Sequence, residues 1–138
     1  MSASPLSPNH IANTRFALAS TTEAGITATA SGSQTTGYPI TAQASQVSTV
    51  GTTGDSLTLP KITSKQATDP TLGMVGSILF IRNDGSNSTT IYGASPDTIN
   101  NVATGTGVAL ASGKTAQLIA YNYVQSTGVG SWMMITSA

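Results

Sequence analysis

Residues 46–138 contain six short apolar runs separated by Gly, Asn, Asp, Ser and Pro, and no window repeats at helical spacing. That pattern restricts the region to strands. Ser56-Leu57-Thr58-Leu59 alternates and is closed by Pro60, as a half-buried strand would be. Ile78-Leu79-Phe80-Ile81 is continuous and leads to Asn83-Asp84-Gly85, which predicts a buried strand entering a tight turn. Thr89-Thr90-Ile91-Tyr92 is expected as its return strand, and Val108-Ala109-Leu110 precedes a turn at Ser112-Gly113. Thr115 to Val124 alternates, with Ala116, Leu118 and Ala120 on one face and Ile119, Tyr121 and Tyr123 on the other. Two apolar faces predict a central strand, or one face held in a subunit contact. Trp132-Met133-Met134-Ile135 completes the set. The expected fold is all-β, a β-sandwich or jelly-roll-like knob spanning 46–138.

Residues 1–45 read differently. Their formally charged residues are Arg15 and Glu23, and small polar residues dominate, as in Ala28-Thr29-Ala30-Ser31-Gly32-Ser33. Ile11, Phe16, Leu18, Ile26, Tyr38 and Ile40 are too sparse to build a core. Alternation in Arg15-Phe16-Ala17-Leu18 and Ile26-Thr27-Ala28-Thr29 predicts an extended N-terminal arm lying on a surface that supplies its missing apolar partner.

Composition removes several function classes. Charged residues are 7% of the chain, against about 25% in an ordinary domain, and the formal net charge is zero. Such a chain has little repulsion to keep copies apart, and its balanced charge offers no footprint for nucleic acid or an anionic membrane. Without cysteine it has no disulfides or thiolate ligands, and His10 is its one histidine, so no metal or other cofactor is expected. No apolar run reaches the roughly 18 residues of a membrane helix. Met1 to Asn13 has neither a basic residue nor an apolar segment, so synthesis and use without Sec export are expected. Asn87-Ser88-Thr89 is accordingly read as a chance glycosylation match.

No motif carries catalysis. Gly113-Lys114-Thr115 resembles the end of a phosphate loop, but Val108 stands where the first glycine belongs and strands flank it. A turn with Lys114 at its tip is the better reading. Asp55, Asp69, Asp84 and Asp97 sit beside turn residues and are expected to cap backbone, and no flanking aromatics suggest a sugar groove between paired acids. His10 lacks a Gly-x-Ser-x-Gly partner and reads as a solvated arm residue. Trp132 reads as core or subunit contact because Met133, Met134 and Ile135 follow it, while Tyr121 and Tyr123 divide evenly between core and interface.

Four elements in order carry a family resemblance: Gly54-Asp55-Ser56-Leu57-Thr58-Leu59-Pro60, then Gly76 to Gly85, Tyr92 to Asn100, and Val108 to Thr115. With Trp132 near the end, they resemble a short β module of tailed-bacteriophage head decoration (cement) and head-fibre proteins. The family order is "GDSV-LP", an apolar strand ending in "N-G", "P-GD-IN", "L-GK" and a terminal "W". Residues 50–135 keep that order, except that Pro96 stands where a glycine is expected before Asp97.

The resemblance implies a non-enzymatic structural virion protein, made in the host cytoplasm and carried on the outer capsid surface. Its partners would be the major capsid protein and itself, as a homotrimer. On that reading Ile11, Phe16, Leu18, Tyr38 and Ile40 are the capsid-contact arm residues, and Tyr121, Tyr123 and Trp132 the subunit interface. Two further classes are a tail-fibre or tailspike module binding host carbohydrate, and a small cell-wall hydrolase. The short chain with seven aromatics disfavours the first, and the lack of a convergent acid–base set disfavours the second.

Overall fold

The computed structural model describes residues 21–63 and 72–138, and every regular element among them is a strand. The strands are β1 (Thr22–Thr27), β2 (Tyr38–Pro39), β3 (Ala44–Thr49), β4 (Ser56–Thr58) and β5 (Ile78–Asn83). They continue with β6 (Thr89–Tyr92), β7 (Thr98–Ile99), β8 (Val108–Leu110), β9 (Thr115–Val124) and β10 (Val129–Thr136). They form a six-stranded sheet, β1-β3-β5-β9-β10-β7, and a four-stranded sheet, β2-β4-β6-β8.

From β1 to β9 each successive strand lies in the other sheet. This winding explains the pairing. Within the larger sheet β1, β3 and β5 run parallel, and within the smaller one β2, β4 and β6 do the same. Parallel neighbours need a crossover, and here a strand of the opposite sheet supplies it. Both sheets are mixed, because β8 returns antiparallel to β6 and β9 antiparallel to β5. A jelly roll is antiparallel throughout, so the connectivity is not of that type.

The hairpin expected between β5 and β6 is absent, and the reason is local. Asn83 is fully buried; its amide donates to the carbonyls of Asn87 and Leu110, both at 2.9 Å, and its Oδ1 accepts from the Gly85 N–H at 3.0 Å. These bonds turn the chain out of the larger sheet. Gly85 permits the turn, since a Cβ there would lie 2.8 Å from the backbone nitrogen of Val50.

One hydrophobic cluster draws on both sheets: Val47, Leu79, Ile81, Leu118 and Trp132 from the larger, Leu57, Ile91 and Leu110 from the smaller. Ile26, Ala28 and Ile40 belong to the same cluster. The expected boundary at residue 45/46 therefore falls inside β3, and residues 21–45 are part of the folded domain. Their apolar side chains find the missing core in the rest of this chain, not on a foreign surface.

Trp132 is 0% exposed. Its emission should be blue-shifted and poorly quenched by acrylamide, and Trp132→Ala should cost about 3–5 kcal/mol in urea unfolding. Red-shifted, freely quenched emission from the native protein would contradict this placement.

Candidate functional site

The expected site residues separate. Ile11, Phe16 and Leu18 lie outside the described residues. Ile40 is 2% exposed and its N–H bonds the Thr58 carbonyl, so it is a core residue and unable to anchor a partner. Tyr38 is half-buried against the cluster and its hydroxyl donates to Glu23, which raises the phenol pKa, helped by burial and by the Glu23 charge. Trp132 is enclosed by its own protomer, which removes it from the expected subunit interface.

Tyr121 and Tyr123 do not share an environment. The β9–β10 ladder shifts register between Ser131 and Trp132, leaving Tyr121 unopposed between Asn122 and Ala120. Such a bulge breaks the alternation of side chains. Tyr121 is exposed, with its hydroxyl donating to Asn101 Oδ1 at 3.1 Å. Tyr123 packs against the core, with the Lys61 ammonium 5.5 Å from its ring centroid.

Two features stand out. The first is a buried carboxylate. Asp97 Oδ1 accepts from Lys61 Nζ at 2.6 Å and from the Gly130 N–H at 2.8 Å, and Oδ2 accepts from the Ile62 N–H at 2.7 Å. Lys61 Nζ also donates to the carbonyls of Ile62 and Gly128, at 2.7 and 2.9 Å. All three ammonium hydrogens and both carboxylate oxygens are thus occupied. A pair so extensively hydrogen-bonded within the protein is a structural clasp.

The second is the outer face of the larger sheet. Burial along β5 alternates, so Leu79, Ile81 and Asn83 face the core while Ile78 and Phe80 are 38% and 44% exposed. Register places Ile78, Ile119 and Met133 in one row, and Phe80, Gln117 and Ile135 in the next. Met133 and Ile135 are 39% and 52% exposed. A shallow groove of about 370 Å³ shares Phe80 with this face and is also lined by Ala24, Ala44, Glu23, Arg82 and Asp84. The sequence reading placed an apolar second face on β9 but read β5 as wholly buried. A continuous apolar run is compatible with either state, and only the pairing with β9 and β10 reveals the exposed half.

Among the described residues no group of three or more His, Cys, Asp or Glu side chains is placed to hold a metal. Comparison with family models, curated proteins and solved structures returns no match.

Asp97→Ala should cost about 3–5 kcal/mol, because it removes one of the ammonium's three acceptors and leaves the Ile62 and Gly130 N–H groups unpaired. Asp97→Asn should cost nearly as much, since its NH₂ would face one of those donors; a near-neutral result in urea unfolding would refute the clasp.

Two other carboxyls govern acid stability. Asp55 accepts from the Thr52 N–H at 2.9 Å and the Thr52 hydroxyl at 2.7 Å, and these bonds hold its pKa below the ordinary 3.8 against the opposing effect of burial. Asp84 is lowered by Gln46, which donates at 2.7 Å, and by Arg82. A lowered folded pKa contributes stability that is complete above the unfolded value and is lost as pH falls through the folded value. The melting temperature should therefore hold from neutrality to about pH 5 and drop below about pH 4. Asp55→Asn should start lower and fall less steeply.

Proposed function

We propose that this chain is a structural virion protein that binds the outer surface of a phage capsid and stabilises it. The observation that carries the reading is a domain of strands, nearly uncharged, that leaves a large apolar sheet face in solvent. Contiguous exposed apolar patches of that kind mark protein–protein contacts. The ordered motifs that resemble decoration proteins agree with it: Ser56–Thr58, Ile78–Asn83 and Val108–Leu110 are strands, and Asp55 and Asp97 are turn-holding acids. On this reading the two sheets form a sandwich-type knob, residues before Thr21 supply the docking arm through Ile11, Phe16 and Leu18, and copies assemble as a homotrimer. The major capsid protein is the partner. Binding to the assembled shell and not to dispersed subunits adds its free energy to shell stability by linkage, and a trimer on a threefold position engages three equivalent sites together.

The test is binding of the full chain to capsids that lack it, beside the variant Phe16→Asp/Leu18→Asp. Saturable binding and a raised capsid melting temperature are expected, both lost in the variant. If the wild-type chain fails to bind capsids, the decoration reading falls. Binding to host carbohydrate in its place would support the tail-fibre class.

A further inference from the structure

The face formed by β5, β9 and β10 is where the described residues leave apolar surface in solvent. Ile78, Phe80, Met133 and Ile135 on it are each more than a third exposed, with Ile119 between them. Three strands about 4.8 Å apart, over seven positions rising about 3.4 Å each, make roughly 340 Å². A folded partner of standard size buries about 800 Å² on its side. The face is small for that and fits a single extended segment.

The sheet also shows where such a segment would start. Register carries the Phe80 row across five strands, from Thr22 in β1 through Ala44, Phe80 and Gln117 to Ile135. Thr21 is pinned beside the first of these positions. Its carbonyl accepts from the Ala44 N–H at 3.2 Å, and its hydroxyl accepts from the Gln43 N–H at 2.9 Å. Residues 1–20 are therefore tied to one end of the row. Within them Phe16 and Leu18 are spaced to share one side of an extended chain.

We infer that residues 11–20 fold back over this face of their own chain, setting Leu18 and Phe16 on its apolar rows. Reach permits it. Phe80 lies two strand spacings from Thr22, about 10 Å, and Ile135 four, about 19 Å. At about 3.3 Å per residue, the chain back from Thr22 spans up to about 13 Å to Leu18 and about 20 Å to Phe16.

The tether selects this occupant over others of equal chemistry. A segment on so short a link acts at an effective concentration in the millimolar range. A second copy or a foreign peptide would have to reach about that concentration to displace it. Charge agrees in sign. Glu23 and Asp84 line the groove against Arg82, an excess of one negative charge, and Arg15 is the one charged side chain in residues 1–20. The consequence rests on the decoration reading: the cover keeps nearly uncharged copies apart until the shell takes the arm.

The chain has no cysteine, so one introduced at Met133 reports on this face alone. Maleimide should label Met133→Cys about tenfold more slowly than the same variant carrying Phe16→Asp/Leu18→Asp, at every concentration from about 1 to 100 µM. Ala103→Cys, exposed beyond β7, should react equally in both backgrounds. Leu18→Cys/Gln117→Cys should close with oxidised glutathione into a disulfide-bonded species of one chain, 13.9 kDa. Equal labelling of Met133→Cys in the two backgrounds overturns the inference. So does protection that grows with protein concentration, which would make a second copy the occupant. No capsid enters these measurements, so their failure leaves the decoration reading standing.

Discussion

The Asp97 carboxylate is the knot that the rest of the fold is tied to. It accepts from Ile62, which follows β4, and from Gly130 in β10, and it pairs with Lys61. One side chain thereby joins the chain leaving the smaller sheet to the last hairpin of the larger. The joint works only because the backbones approach closely: a Cβ on Gly130 would lie 2.3 Å from Cβ of Ile62. Lys61 suits its role for a related reason. Its ammonium reaches the buried acid within 5.5 Å of the Tyr123 ring centroid, and part of the side chain stays in water, which reduces the desolvation that burying a cation would cost.

Asp97 belongs to a wider arrangement. A chain that alternates between two sheets must repeatedly carry its backbone across the edge of the core, where ladder hydrogen bonds are interrupted. Three of those crossings hold a buried polar side chain that supplies the missing partners. Asp55 binds Thr52 between β3 and β4, Asn83 binds Asn87, Leu110 and Gly85 between β5 and β6, and Asp97 binds Ile62 and Gly130 between β6 and β7. Buried backbone groups need such partners. Asp and Asn are therefore in the core here because the winding puts turns there. Ser45 and Ser56 are buried too, yet their hydroxyls have no partner among the described residues, and we have no physical account of them.

This division between local and long-range chemistry decides what could be read from the sequence. Alternation and turn residues placed the strands at 56–58, 78–83, 89–92, 108–110 and 115–124 because those signals are local. Pairing was not legible. The Asn83-Asp84-Gly85 signal for a tight turn was real, but the Asn83 side chain uses it to leave the sheet, and its partner Leu110 is far along the chain. Residues 21–45 were misread for the same reason. Ile26 and Ile40 are sparse within their own segment, but the core is assembled across the whole chain, so local density undercounts it. Tyr121 and Tyr123 had the spacing of one face, and a single bulge in β9 separated them.

The way the sheet edges end answers a further problem of a chain with no net charge. Sheets associate either by adding strands at an edge or by covering a face, and long flat edges favour the former. Here β2 and β7 have two residues each and β8 has three, and Pro39 occupies β2. The longer edge strand, β1, shifts register twice against β3 around Gly25, whose φ of +77° breaks the extended backbone. Among the described residues no edge offers a long regular row of free N–H and C=O groups to a neighbour. A chain with formal net charge zero would otherwise be prone to open-ended strand pairing, and the blunted edges oppose it.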